Sequence, residues 1–331
     1  PSTMYFNNDV FQGCSDIVKV FACYFSSVYD NPKLLPTYNS DGQVMCELLQ
    51  LNLNKGAGPD GIPPLFFKMG ALSLAEPLCR IFSVSMSSGV FPDIWKFAHV
   101  VPIFKSGSKH FVHNYRPVSI LSVPAKLFET IVSQQLRHSF KNIIIESQHG
   151  FYAGRSTQTN LITFISDITD AFEDGYDVHC VYTDFHKAFD KVHHQLLLDK
   201  LYLYGIRDPL LSWFNSYLMN RSQSVCLKGV KSYTYSVKSG VPQGSILGPF
   251  LFNIFVNDIT MNCLSKSLLY ADDLKIYHFI KTTDDMKILQ HDLKLVEKWC
   301  FMNDLNLNVS KCVAICFSKK TSPISASYVL N

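Results

Sequence analysis

Apolar residues recur at helical spacing over some stretches of this chain and in short continuous runs over others, and that alternation predicts its elements. Residues 41–53 set Val44, Leu48 and Leu51 on one helical face. Residues 65–89 read as one or two helices ending at Ser88-Gly89, ahead of Phe91-Pro92. From Trp95 the character turns to strand: residues 99–105 and 114–120 are extended on either side of a polar loop, so they predict a β-ribbon with Lys105 before the turn and Arg116 after it. Helices are predicted over 126–140, from Thr157 as N-cap to about 173, from 187 to 204, and over 210–219, 248–258 and 284–302. Residues 178–185 are apolar for most of their length, as in a strand interior to a sheet. Two strand-forming arms flank Asp272-Asp273 in residues 268–277 and predict a β-hairpin with both acids at its tip, and a short strand follows Asn308 and Lys311 within 305–317. The first 40 residues show only a helical lead-in around 18–28 and a Pro/Asn-rich link at 31–39.

Several of these positions bear chemistry, and each also has an ordinary structural reading. Adjacent carboxylates repel, so Asp272-Asp273 is either a solvated turn or a pair neutralised by a divalent cation, since Mg2+ takes one or two carboxylates plus water and phosphate oxygens. Asp184 ends the buried strand, where it is placed equally well to bind metal or to cap the next helix. Lys105 and Arg116 are two cations suited to a triphosphate if the ribbon brings them together. The loops Lys55-Gly-Ala-Gly-Pro-Asp-Gly and Ser239-Gly-Val-Pro-Gln-Gly-Ser expose backbone, and the second presents Gln243 from a rigid turn. The run Gly150-Phe-Tyr-Ala-Gly-Arg-Ser is not a phosphate loop, because its glycine spacing is one short and Arg155 replaces the lysine. His193-His194 reads as a surface pair opening a helix.

Composition narrows the class. The 331 residues are 47% hydrophobic and 17% charged, which is globular and long enough for about two domains. No apolar run approaches a membrane span, and no signal-peptide pattern opens the chain. Net charge is only +3. Between Lys55 and Arg155, however, 11 Lys/Arg face 5 Asp/Glu, a local +6 that leaves −3 for the remainder. A basic first part beside an acidic second part fits a polyanion grip beside a carboxylate cluster, although such drift is common. The 10 cysteines show neither a CxxC pair nor a regular framework, as expected of reduced thiols; Cys312 and Cys316 have no second pair to complete a zinc set.

The order of these features resembles a reverse transcriptase: Lys105 and Arg116, Asp184 with Phe189, Gly-Val-Pro-Gln-Gly-Ser, Tyr270-Ala-Asp-Asp, then Lys311. Lys55-Gly-Ala-Gly-Pro-Asp-Gly, Asn114-Tyr-Arg-Pro-Val-Ser, Gly154-Arg-Ser-Thr, Lys187-Ala-Phe-Asp and Gly240-Val-Pro-Gln-Gly-Ser-Ile-Leu-Gly-Pro are similar to the non-LTR retrotransposon branch, of the jockey and LINE kind. The likeness spans roughly residues 50 to 318.

The resemblance implies an α+β right-hand polymerase, with fingers and a palm built as an antiparallel sheet flanked by helices. It implies a lead-in over 1–40, a fingers-rich part over 41–175, a palm over 176–318, and over 319–331 the start of a link to a thumb that is missing or incomplete; the reverse transcriptase domain proper covers about 85–331. Asp184 and Asp272 become the principal ligands of two Mg2+ ions, with Mn2+ as a substitute. Asp273 stands beside them and the Phe185 carbonyl is available. Lys105 and Arg116 become triphosphate contacts, and Lys311 the acid for departing pyrophosphate. Phe189 becomes the gate against a ribose 2′-hydroxyl, and Gln243 with Gly244 the surface touching nucleotide and template base. The implied partners are an RNA template, a DNA primer and dNTPs, in an intracellular and nuclear setting, with no membrane and no implied oligomeric state.

Two departures from the family pattern are mild. Gly56-Ala57 precedes Gly-Pro-Asp-Gly where relatives often have a small residue or proline, and Tyr152 takes a frequently basic position. No endonuclease, complete thumb or zinc knuckle accompanies the motifs, as in a fragment of a polyprotein or a truncated genomic copy. A catalytically silent nucleic-acid-binding remnant and a group II intron-type reverse transcriptase remain as rivals.

Overall fold

The computed structural model describes residues 3–6, 9–12, 41–324 and 327–330. Strands β1 (Thr3–Phe6) and β2 (Asp9–Gln12) pair antiparallel, so the lead-in contains a hairpin; the helical patch expected at 18–28 and the link at 31–39 lie outside the described residues. The chain folds into two compact units that interleave along its length.

The first unit, Pro1–Ala98 with Leu121–Gln135 and Leu198–Ser222, is mainly helical among its described residues apart from the β1–β2 hairpin. Its helix Asp41–Leu49 stops short of the predicted residue 53. The 65–89 stretch divides at Gly70 into Pro64–Met69 and Ala71–Ser88. Gly89 ends the longer helix in the left-handed region at φ 67°, its N–H bonded to the Met86 carbonyl, a standard glycine stop. The core is aromatic: Phe82 stacks on Phe128 at 4.4 Å, and Trp213 stacks on Tyr217 at 5.6 Å.

The second unit, His99–Ile120, Leu136–Leu197 and Gln223–Asn331, holds most of two sheets. The first is built from β3 (Phe97–Phe104), β4 (Tyr115–Ile120), β6 (Arg221–Leu227) and β7 (Val230–Lys231) in the order β4-β3-β6-β7, with β8 (Tyr235–Val237) paired to β6. The second contains β5 (Asp177–Thr183), β9 (Lys266–Tyr270), β10 (Asp273–Ile280) and β11 (Val313–Phe317) in the order β11-β5-β10-β9. Its two inner strands, β5 and β10, are the most buried, as the run at 178–185 predicts for a strand interior to a sheet. The helix Thr157–Glu173 covers one face, where Phe164 meets the edge of Tyr277 at 4.8 Å among Val178, Cys180 and Leu268. The helix Gly248–Val256 is apolar on every side and accordingly buried along its length; each buried Phe, Leu or Ile there contributes roughly 1.5–3 kcal/mol.

Three local expectations are corrected. Ser156, not Thr157, caps the helix Thr157–Glu173: its hydroxyl accepts from the Thr159 N–H at 3.2 Å, while the Thr159 hydroxyl accepts from the Ser156 N–H at 2.8 Å. The helix expected over 187–204 divides into Ala188–Lys191 and His194–Leu203, because Val192 leaves helical geometry at ψ 119°. His194 is buried, its Nε2 donating to the Gly240 carbonyl at 2.8 Å, so only the expectation that it opens a helix survives.

Candidate active site

The predicted hairpin forms with a two-residue turn. Tyr270 pairs with Asp273, leaving Ala271 and Asp272 as the turn and making Asp273 the first residue of β10. Leu274 pairs with Thr183, so Asp184, one step past the end of β5, lies at the same end of the sheet. Strand register alone thus brings together carboxylates from positions 184, 272 and 273. Asp184 is fixed further by the loop before β11: its carbonyl accepts from the Asn308 N–H at 2.7 Å, and its Oδ2 accepts from Asn308 Nδ2 at 3.2 Å and Lys311 Nζ at 3.0 Å. A cavity of about 430 Å³ opens beside them, lined by Asp184, Asp273, Tyr270, Lys275 and Lys311 among others.

The electrostatics tie the acids to one another and to the β3–β4 ribbon. Burial pushes the Asp272 carboxyl above the ordinary range and Asp184 adds to the push, while Arg116 and Lys105 pull it back. Asp273 is raised by burial, then by Asp272 and Asp184, and lowered by the same two cations. Asp272 is half-buried and Asp273 exposed, so desolvation is firmer at Asp272. Arg116 pairs with Ile103 across the ribbon, and the Lys105 N–H donates to the Asn114 carbonyl at 2.8 Å. Lys105 and Arg116 therefore lie diagonally on one face.

The glycine loop is braced on two sides. The Gln243 carbonyl accepts from the Ser119 N–H of β4 at 2.7 Å, and Gln243 Nε2 donates to Asp190 Oδ1 at 2.8 Å. Gly244 has φ 103°, and a Cβ there would sit 2.6 Å from the Ser119 carbonyl oxygen. Asp190 is held above the ordinary carboxylate range by burial, which the Gln243 bond partly offsets. Phe189 stacks on Phe252 at 4.4 Å and meets Phe151 edge-on at 6.1 Å. Phe185 forms a lone bridge with Leu307 whose two hydrogen bonds use the Asp184 carbonyl and the His186 N–H, leaving the Phe185 carbonyl outside the bridge.

Residues 103–326 match the family described as reverse transcriptase (RNA-dependent DNA polymerase). The chain belongs to the reverse transcriptase family. This reverse transcriptase is 30% identical over 297 residues to a protein described as a probable RNA-directed DNA polymerase from transposon BS of Drosophila melanogaster, covering 86% of this chain and 33% of that relative. It is 27% identical over 286 residues to the RNA-directed DNA polymerase from mobile element jockey of the same species, covering 83% and 31%. The chain thus spans about a third of the length of the relatives it matches. Among solved structures, an apo telomerase from Candida tropicalis aligns over 76% of this chain and 56% of its own at a TM-score of 0.47 and 14% identity.

Among the described residues of this reverse transcriptase, no three His, Cys, Asp or Glu side chains stand together as a ready metal cage, and no helix is long and apolar enough to cross a membrane. Three residues at the site escaped the sequence reading: Asn308 and Asp190, which orient Asp184 and Gln243, and Gln148, which reaches the Ala271-Asp272 turn from outside the sheet. Asp190 closes the Lys187-Ala-Phe-Asp run and had a signal there; Gln148 had none beyond its place two residues before Gly150.

Proposed function

We propose that this reverse transcriptase domain extends a primer 3′-hydroxyl with dNTPs along an RNA template. The convergence of Asp184 with Asp272-Asp273 under the charge of Lys105 and Arg116 is the observation that carries the reading. The family is generally divalent-metal dependent. Asp184 and Asp272 would hold Mg2+, or Mn2+ in its place, with Asp273 in support. So few carboxylates suit Mg2+, which shares its shell with substrate phosphates and water and seldom takes an all-protein cage. Bound there, the metal supplies Lewis acidity at the reacting oxygens and neutralises charge on the leaving pyrophosphate.

The remaining roles belong to the chain's own side chains. Lys105 and Arg116, fixed on one face of the ribbon, bind the triphosphate and stabilise charge that develops on its oxygens. Gln243 and Gly244, braced against Asp190 and Ser119, form the surface under the incoming base. Phe189, pinned between Phe252 and Phe151, excludes a 2′-hydroxyl. Lys311, at 3.0 Å from Asp184, protonates the leaving pyrophosphate, and the Phe185 carbonyl lies beside the acids. In this reading residues 176–318 are the palm and 41–175 the fingers-rich part.

The test is primer extension on poly(rA)/oligo(dT) with the chain in its complete reading frame. Wild type should incorporate dTMP in Mg2+ and Asp272→Ala should not; equal incorporation by the two sinks the reading. Salt-dependent binding of primer-template without metal-dependent incorporation would instead favour a nucleic-acid-binding remnant.

A further inference from the structure

The turn at Ala271-Asp272 poses a problem in backbone chemistry. The first central position of a two-residue hairpin calls for positive φ, which glycine supplies freely. Here alanine occupies it at φ 57° and is buried. A left-handed alanine is strained by its Cβ, and something must hold it there.

What holds it comes from outside the hairpin. Residues 147–149 run parallel beside β9: the Leu269 N–H donates to the Ser147 carbonyl and the His149 N–H to the Leu269 carbonyl, both at 2.8 Å. From that edge the Gln148 side chain, only 1% exposed, reaches the turn. Its Oε1 accepts from the Ala271 N–H at 2.9 Å and from the Gly150 N–H at 2.8 Å, and its Nε2 donates to the Ala271 carbonyl at 3.3 Å. One amide thus engages both polar groups of Ala271. Two hydrogen bonds to one residue's backbone offset the strain of its conformation. Gly150 permits the approach, because a Cβ there would lie 2.2 Å from the Ala271 nitrogen. Asn253 secures Gly150 in turn, its Nδ2 donating to the Gly150 carbonyl at 2.8 Å.

We propose that Gln148 is a positioning residue: its amide holds Ala271 in the left-handed conformation and so aims the carboxylate of Asp272. The proposal rests on the polymerase reading for its effect on catalysis, while the clamp itself stands on the hairpin. The next peptide carries Asp272, so releasing Ala271 swings that side chain while the core of the sheet stays paired.

The experiment compares wild type, Gln148→Met, Ala271→Gly and the double variant, each in the complete reading frame. Gln148→Met keeps the volume and removes all three hydrogen bonds. It should lower kcat by about tenfold to hundredfold, the usual consequence of misplacing a catalytic group by about an ångström, while KM for dTTP and the primer-template Kd stay within about threefold. Ala271→Gly in the Gln148→Met background should restore at least about tenfold of that loss, since glycine takes positive φ without strain. A residue that merely filled the core would show no such rescue. Unchanged kcat in Gln148→Met, or a loss that Ala271→Gly leaves untouched, overturns the proposal. Should Gln148→Met fail to fold, Gln148→Glu takes its place: it keeps the Oε1 acceptor and loses only the Nε2 donation to the Ala271 carbonyl, so a kcat loss smaller than about tenfold that Ala271→Gly restores supports the proposal, and a loss that Ala271→Gly leaves untouched overturns it.

Amide hydrogen exchange over residues 268–274 separates this proposal from the polymerase reading. If wild type extends no primer, that reading falls. The clamp is then judged by exchange alone: faster in Gln148→Met supports it, and equal rates overturn it.

Discussion

Replacing Gly244 by alanine tests whether the Gly-Val-Pro-Gln-Gly loop serves the nucleotide or only the fold. At φ 103° any side chain is strained by roughly 1–3 kcal/mol. The new Cβ would stand 2.6 Å from the Ser119 carbonyl oxygen, whereas ordinary contact begins at 3.4 Å, so the loop must retreat from β4 by about 0.8 Å. That retreat stretches the 2.7 Å bond from the Ser119 N–H to the Gln243 carbonyl beyond use and forfeits a further roughly 0.5–1.5 kcal/mol. At about 1.4 kcal/mol per decade, kcat/KM for dTTP should fall by about 10- to 10³-fold. Gly175 is the control: it too has positive φ, at 77°, but nothing lies within 4 Å of its Cβ position, so Gly175→Ala carries backbone strain alone. Steady-state primer extension and thermal unfolding of both variants decide the matter. Gly175→Ala should lower Tm and leave kcat/KM near wild type, whereas Gly244→Ala should lower kcat/KM. If the two variants have the same kcat/KM, the loop does not position substrate and the reasoning is wrong.

Other consequences are open to measurement. Phe189→Ala should admit ribonucleotides; it forfeits two ring contacts worth roughly 0.5–1.5 kcal/mol each besides the burial of the ring, so Tm is read alongside, and equal rejection of rNTPs by folded mutant and wild type refutes the gate. Asp272→Asn should raise Tm in EDTA. Burial holds the Asp272 acid above the ordinary range, so its contribution to stability is present below about pH 4 and lost as pH rises through the raised value. The Tm gap between variant and wild type should therefore widen on going from about pH 4 to about pH 7, and a constant gap contradicts the assignment. Lys311→Met breaks an ion pair whose lysine side chain is 58% exposed, so Tm should move little while kcat falls; an unchanged kcat removes Lys311 from the chemistry.

The sequence was most informative where short-range pattern and long-range position coincide. The strand arms around Asp272-Asp273 and the apolar run ending at Asp184 each announced a strand with an acid at its end, and pairing then had to juxtapose them. Lys105 and Arg116 were legible for the same reason, as cations near a ribbon's turn. The Gln148 grip was not: a side chain bonding to backbone 123 residues away leaves no periodicity and no composition signal. His194 was misjudged because paired histidines at a helix start look like surface, and only the fold brings the Gly240 carbonyl to that ring. The cap moved from Thr157 to Ser156 because two adjacent hydroxyls compete for one helix end, and only the reciprocal bond with Thr159 decides between them.

The alignment of Thr183 with Leu274 and of Tyr270 with Asp273 limits how this sequence can change length. Side chains on a strand alternate between faces, so one residue gained or lost inside β5 or β10 turns an acid to the opposite side of the sheet. Gains between β6 and β7, at the edge of the other sheet, leave the register of β5 and β10 untouched. Copies that drift by insertion would thus keep their chemistry or lose it according to where the change falls, and the four-stranded sheet acts as the reading frame of the active site.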